Sequence, residues 1–403
     1  MRSIGKSEIL SGIAYDLRGP ALAEAERLEA QGIKILKLNT GNPGAFGFTP
    51  PSAVLRAIQD NLYKALPYSQ SKGLLAAREA IAAYWDKKGV VISPDHIYTG
   101  NGVSELIHMS MQALLNKGDE ILIPTPDYPL WTAAVKLYGG TAVHYLCDEN
   151  NGWQPDIEDM RRKITSRTKG IVVINPNNPT GVLYGREVLE QIADLAREYN
   201  LMLFADEIYE SIVMDGKEHT PMVKLAPDLP VVSYGGLSKS HMLAGYRAGW
   251  MYLSLGESSM EGYIEGLDLL ASTRLCSNVP AQYAIAPALA DFSELNAMMA
   301  PGGRIYEQRD CILRALAGTP GLTAVRPDAA FYIFPKLDAA KFNIRDDEQF
   351  VFDFLRSKHV LLVRGGGFNW GKPDHFRIVY LPSVEELEAL AEDLSSFLAD
   401  YRQ

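Results

Sequence analysis

The residues able to do chemistry in this chain fall in four short stretches. Tyr98-Thr99-Gly100-Asn101-Gly102-Val103-Ser104 carries an apolar run through two glycines into a helical pattern. Free backbone N–H groups at such a helix start, with the helix dipole behind them, make a site for an anion such as a phosphate. Asn175-Pro176-Asn177-Asn178-Pro179-Thr180-Gly181 follows an apolar run ending at Ile174. Phe204-Ala205-Asp206-Glu207-Ile208-Tyr209 puts a carboxylate at the C-terminal end of a buried run, where open α/β sheets place their ligands. Gly236-Leu237-Ser238-Lys239 follows another such run, and Arg247 comes eight residues later. A positive neighbour and partial burial both make a lysine's neutral amine more available. Alone, each stretch also fits a plainer role: a tight turn for the first two, a solvated loop carboxylate for the third, a surface lysine for the fourth.

Positioning these residues falls to a regular alternation of elements between about residues 96 and 255. Strands are predicted at His96–Thr99, Glu120–Ile123, Thr141–Tyr145, Gly170–Ile174, Leu201–Ala205, Val231–Tyr234 and Gly249–Leu253. Several are continuous apolar runs bounded by turn residues, the pattern of strands covered on both faces. Helical patterns lie between them, at Ser104–Leu115, Tyr128–Leu137 and Arg186–Glu198. The alternation predicts right-handed βαβ units and a mostly parallel sheet, an α/β fold.

The C-terminal third reads as an α+β block. A helix near Arg304–Leu316 precedes short strands near Leu322–Val325 and Phe331–Pro335, then a helix near Asp347–Ser357. Strands near Val360–Val363 and Phe376–Val379 follow. A last helix runs from about Val384 to Ala399, with Ser383 and Glu386 spaced as a capping box. The N-terminal arm, with a helical stretch at Pro20–Gln31, is expected to pack on this block. The predicted organisation is a large α/β domain over residues 49–295 and a small domain built from residues 1–48 and 296–403.

Composition narrows the function. The 403 residues are 47% hydrophobic and 22% charged, the balance of a globular protein. No run approaches the roughly 20 apolar residues of a membrane helix. Met1 to Leu10 carries Arg2, Lys6 and Glu8 and has no apolar core, so no secretory signal is expected there. A net charge of −10 argues against nucleic acid or an anionic membrane as partner. Three cysteines, Cys147, Cys276 and Cys311, suit a reducing cytoplasm and give neither a disulfide framework nor a Cys-based metal site.

The order of the four stretches is more specific than any of them. Asn178 precedes Asp206 by 28 residues, Tyr209 lies three further on, and Lys239 and Arg247 follow. This order resembles the class I/II aminotransferases, pyridoxal 5'-phosphate (PLP) enzymes of fold type I. The resemblance spans nearly the whole chain, from Arg18-Gly19-Pro20 to Arg377. It implies that Lys239 is the Schiff-base lysine and the proton shuttle. Asp206 matches the carboxylate that keeps the pyridine nitrogen protonated, and Asn178 and Tyr209 match the pair that hydrogen-bonds the ring 3'-oxygen. Tyr128, in Pro126-Asp127-Tyr128-Pro129, matches the aromatic stacked on the ring. Gly102 and the backbone amides of Val103 and Ser104, with Ser238 and Arg247, correspond to the phosphate site. Tyr68 matches a tyrosine that reaches the phosphate of a neighbouring subunit, which implies a homodimer with shared active sites. Arg377 matches the clamp for the substrate α-carboxylate, and Gly41 a glycine lining the substrate site. One position departs from many aspartate-type members: Gly236 stands where they carry a hydroxyl residue.

Within the family, Tyr15-Asp16-Leu17-Arg18-Gly19-Pro20, the run Gly100–Leu106 and Asp127-Tyr128-Pro129-Leu130-Trp131-Thr132 resemble alanine transaminases of the glutamate–pyruvate type. This implies exchange of L-alanine and 2-oxoglutarate with pyruvate and L-glutamate. Tyr15 and Arg18 are the candidates to meet the second carboxylate of glutamate. Arg274 is another cation near the segment that supplies such an arginine in aspartate-type enzymes, but its spacing to Ser277-Asn278 is one residue short. The alternatives are an aspartate or broad-range aminotransferase, or a carbon–sulfur β-lyase on the same scaffold. A ligand-sensing regulator would usually add a DNA-binding helix-turn-helix, for which the chain has no room.

Overall fold

The computed structural model describes residues 4–13, 15–254 and 260–403. Residues 1–3, at the start of the N-terminal stretch read above, and residues 255–259 lie outside it. The described strands are β1 (Leu36–Lys37), β2 (Ile97–Asn101), β3 (Glu120–Thr125), β4 (Thr141–Asp148), β5 (Gln154–Pro155), β6 (Thr168–Ile174), β7 (Met202–Asp206), β8 (Val231–Gly236) and β9 (Ala248–Ser254), then β10 (Leu322–Thr323), β11 (Tyr332–Ile333), β12 (Lys336–Leu337), β13 (Val360–Leu361), β14 (Val363–Arg364) and β15 (Phe376–Val379).

Strands β2 to β9 make one sheet, in the order β2-β9-β8-β7-β6-β3-β4-β5. The pairs β4–β3, β3–β6, β6–β7 and β7–β8 are parallel, and helices such as Val103–Leu114 and Arg186–Tyr199 make the crossovers. Alternation within the strands shows why both faces are covered. Ile171 and Val173 of β6 enter one apolar cluster, and Val172 and Ile174 enter another on the opposite face.

Strand β5 pairs antiparallel with β4 at the sheet edge, and the antiparallel pairs of β9 have a simple cause. Strand β9 runs against both β2 and β8. Between β8 and β9 the chain has only the single turns Leu237–Ser240 and Ala244–Tyr246. A parallel return needs a longer crossover, usually a full helix. That brief link is also where Lys239 and Arg247 sit, so both are held at one end of the sheet.

The C-terminal block has its own apolar cluster, including Phe350, Phe354, Ile378 and Leu390. Its last helix, Val384–Asp400, begins with the expected capping box: Ser383 Oγ accepts from the Glu386 N–H at 3.2 Å, and Glu386 Oε2 accepts from the Ser383 N–H at 3.0 Å. Leu387, Leu390, Leu394 and Leu398 form its buried stripe. The short strands stop sooner than their apolar runs suggest. The stretch read as Phe331–Pro335 pairs only at Tyr332–Ile333, and the stretch read as Leu322–Val325 only at Leu322–Thr323. The N-terminal arm joins this block: β1 pairs in parallel with β13, and Ala25 and Leu28 of helix Pro20–Glu29 pack with Leu355 and Leu361.

Candidate active site

A cavity of about 600 Å³ opens at the C-terminal ends of β6, β7 and β8, facing the C-terminal block and the N-terminal arm. Its wall contains Tyr15, Arg18, Gly41, Val103, Ser104, Tyr128, Asn178, Asp206, Tyr209, Ser238, Lys239, Arg247 and Arg377. Topology therefore brings nearly every candidate residue to one place. Gly102 directly precedes the lining residue Val103, whereas Tyr68 lies elsewhere in a single chain: it is 76% exposed and does not line the cavity. Arg274 is also elsewhere, ion-paired to Glu105 and donating to the Thr99 carbonyl at 2.7 Å.

Asp206 is the last residue of β7. Its backbone carbonyl accepts from the Asn175 N–H at 3.1 Å, which ties the loop after β6 to the end of β7. Its carboxylate is buried and accepts from Trp131 Nε1 at 3.0 Å. Loss of solvation pushes the Asp206 carboxyl up to about 6. It enters no ion pair among the described residues, so its negative charge awaits a cation or a proton.

Arg377, on β15, is its counterpart in sign. The guanidinium is buried, with Nη1 donating to Asn178 Oδ1 at 2.9 Å and Nη2 to the Asn39 carbonyl at 2.6 Å. Nε has no hydrogen-bond partner among the described residues. The rings of Tyr332 and Phe368 flank the cation at 4.5 and 4.7 Å. Burial lowers the pKa of this arginine, and neighbouring tyrosine hydroxyls work against that shift. No carboxylate pairs with it among the described residues. A buried cation without a counter-ion is costly, and a ligand carboxylate would remove that cost.

Between these poles lie Lys239 and Tyr209. Lys239 Nζ donates to the Gly41 carbonyl at 2.5 Å, which brings the N-terminal arm to the lysine. Tyr209 shares a 2.7 Å hydrogen bond with the Tyr332 hydroxyl, and burial pushes its phenol well above the ordinary value. Tyr128 is partly open to the cavity, and its hydroxyl lies 2.9 Å from that of Tyr15. The start of helix Val103–Leu114 forms the far end of the cavity. Gly102 sits at φ 78°, and a side chain there would run into the Arg247 guanidinium. Only glycine lets Arg247 lie over the open helix start. Gly236 is less tightly held, but a Cβ there would come within 2.9 Å of the Ala248 carbonyl, so the backbone would have to shift. A hydroxyl residue there would require a local shift, and Ser238 on the cavity wall is the nearby hydroxyl.

A family model described as aminotransferase class I and II matches residues 33–394. The chain belongs to this family. The aminotransferase is 54% identical to glutamate-pyruvate aminotransferase AlaA of Haemophilus influenzae, over 100% of both chains. A crystal structure of an aminotransferase from Escherichia coli matches with a TM-score of 0.98 and 52% identity, covering 100% of each chain. Alanine aminotransferase from Pyrococcus furiosus matches with a TM-score of 0.93 and 40% identity, over 98% of this chain and 100% of that one.

Members of this family depend on PLP, and so does this aminotransferase. The cavity fits that group. The uncompensated Asp206 carboxylate suits a protonated ring nitrogen, the helix start under Arg247 suits a phosphate, and Lys239 supplies an amine between them. Three residues of the site were not singled out from sequence. Trp131 holds the Asp206 carboxylate, Tyr332 bonds Tyr209 and covers Arg377, and Asn39 fixes the Arg377 guanidinium. Trp131 lies three residues after Tyr128 in the same motif, the one available signal. Tyr332 and Asn39 read as core and turn.

Proposed function

We propose that this aminotransferase exchanges L-alanine and 2-oxoglutarate with pyruvate and L-glutamate. The observation that carries the reading is the buried Arg377 guanidinium, with Nε unbonded and no carboxylate partner among the described residues, on the wall of the same cavity as Lys239. Bound PLP supplies an electron sink for the negative charge that develops at the substrate Cα. Lys239 is the covalent anchor for the cofactor and the base that carries a proton to and from the substrate Cα. Asp206 holds the ring nitrogen protonated. Asn178 and Tyr209 donate to the ring 3'-oxygen, and Tyr128 covers a ring face. The amides of Val103 and Ser104, with Gly102, Ser238 and Arg247, hold the phosphate.

Arg377 grips the α-carboxylate common to every amino-acid substrate. Alanine adds only a methyl group, so little else distinguishes it. Glutamate brings a second carboxylate that needs a partner. Arg18, exposed at the cavity wall beside Tyr15, is the group able to swing in for the long substrate and remain solvated for the short one. Tyr68, exposed in one chain, completes the phosphate site of a second copy, so the working form is a cytoplasmic homodimer with shared sites. Residues 49–295 form the larger domain. Residues 1–48 and 296–403, which carry Gly41 and Arg377, form the smaller one that substrate draws in.

The test is single-turnover profiling of amine donors, following the loss of the bound-cofactor absorbance. Alanine and glutamate should be the most efficient donors. Greater efficiency with aspartate or an aromatic amino acid would overturn the assignment.

A further inference from the structure

Tyr128 follows Asp127, and Asp127 has an unusual setting. Its carboxyl is fully buried; His144 Nε2 lies 3.9 Å away, and burial lowers that imidazole to about 4, so among the described residues no cation pairs with Asp127 at neutral pH. Both carboxylate oxygens are nevertheless used. Oδ2 accepts from the Thr132 hydroxyl at 2.8 Å, and Oδ1 accepts from Asn369 Nδ2 at 2.7 Å. Asn369 belongs to the C-terminal block, 242 residues away in sequence. It is bound on its other side as well, since its carbonyl accepts from the Thr125 hydroxyl at 2.7 Å. The backbone repeats the connection: the Asp127 N–H donates to the Phe368 carbonyl at 3.0 Å. One turn of the C-terminal block is thus bonded to β3's exit through three independent hydrogen bonds, immediately before the tyrosine of the cavity wall.

We propose that Asn369 is a positioning residue for the cofactor face of the site: its amide fixes the Asp127 carboxylate, and Asp127 fixes the Tyr128 ring. This rests on the reading that Tyr128 covers the PLP ring. Three features point to positioning rather than general cohesion. An ordinary buried contact between two blocks is made by apolar side chains, whereas here a carboxyl that burial pushes up to about 7 is taken out of water for two directional bonds. Asn369 occupies the left-handed region, at φ 57°, a conformation that holds the turn so that its side chain faces Asp127. The Phe368 ring on the same turn packs 4.7 Å from the Arg377 guanidinium, so one turn contacts both the cofactor wall and the substrate clamp.

The experiment measures the PLP dissociation constant of the PLP-free protein and the circular dichroism of the bound cofactor, alongside thermal unfolding. Asn369→Gly keeps the left-handed backbone and deletes the amide. It should weaken PLP by about tenfold, the scale of a lost buried hydrogen bond, and reduce the cofactor dichroism. Asn369→Asp sets two carboxylates against each other and should weaken PLP further. The reciprocal pair Asp127→Asn with Asn369→Asp restores one donor and one acceptor, and should recover the dissociation constant to within about threefold of the unaltered protein. Two results would overturn the proposal: an Asn369→Gly protein that loses thermal stability with an unchanged PLP dissociation constant, or a folded double variant no better than Asn369→Asp. Tyr128→Leu separates the underlying reading. If it leaves PLP binding unchanged, Tyr128 does not face the cofactor and both ideas fall. If it weakens PLP while Asn369→Gly does not, only the role of Asn369 falls.

Discussion

The cavity has two unlike walls. One is made by strand ends and a helix start, with Asn178, Asp206, Lys239, Val103 and Ser104 anchored at the end of an eight-stranded sheet. The other is the N-terminal arm, where Tyr15, Arg18 and Gly41 stand on short turns. The arm wall is held to the rest of the site by a few polar contacts: the Tyr15 hydroxyl to that of Tyr128 at 2.9 Å, Arg377 to Asn39, and Lys239 to Gly41. A wall locked by backbone ladders suits chemistry that must not vary between substrates. A wall held by a handful of replaceable bonds suits the choice between a methyl group and a propionate. On this account cofactor chemistry belongs to the sheet wall and substrate choice to the arm wall.

That division can be broken most forcefully at Lys239. Lys239→Ala should still bind PLP, through the phosphate and ring contacts, yet lose turnover by roughly three or more orders of magnitude for every amine donor alike. A loss confined to one donor, read in half-reactions, would move Lys239 into substrate selection.

Asp206→Asn should bind PLP and transaminate roughly 100-fold or more slowly, again equally for alanine and glutamate, because the ring nitrogen loses its counter-charge. The same variant has a signature in the PLP-free protein. The folded carboxyl is raised from an ordinary 3.8 to about 6 by burial. Below about pH 4 both folded and unfolded states hold the proton and burial carries no ionisation penalty. Between about pH 4 and 6 the unfolded state ionises while the folded state keeps its proton, so stability falls as pH rises. Above about 6 the penalty is complete. Unfolding measurements should show Asp206→Asn gaining on the unaltered protein across that window, by on the order of 2–3 kcal/mol, then levelling off. A difference independent of pH would show that the carboxylate is already compensated.

The smaller effect belongs to the arm. Arg18→Ala should weaken glutamate and 2-oxoglutarate more than alanine and pyruvate, by roughly 1–3 kcal/mol if one charge-assisted pair is lost. Equal losses for both would mean that Arg18 merely ties the arm down, and the two walls would not divide the labour as described.

How much of this was legible in the sequence follows the same division. The sheet wall was readable because a strand end, a turn and a functional residue are adjacent in the chain, and their order is specific. Partners brought in from afar were not. Trp131 reaches Asp206 across 75 residues, and Tyr332 reaches Tyr209 across 123. A buried aromatic carries the same local pattern whether it packs a core or bonds a catalytic group. The direction of β9 was also hidden, because its apolar run is the same in either orientation and only the brevity of the Leu237–Arg247 link decides it. The C-terminal strands were overextended because apolar runs continue past the last ladder pair, as at Phe334, which turns to pack against His375 and Trp153.

The central claim is that Lys239 carries the cofactor at the junction of the two walls. Borohydride reduction of the PLP-loaded protein, followed by proteolysis and peptide mapping, tests it most directly. The phosphopyridoxyl group should be recovered on the peptide containing Gly236-Leu237-Ser238-Lys239, at Lys239. Recovery on any other lysine would contradict the account.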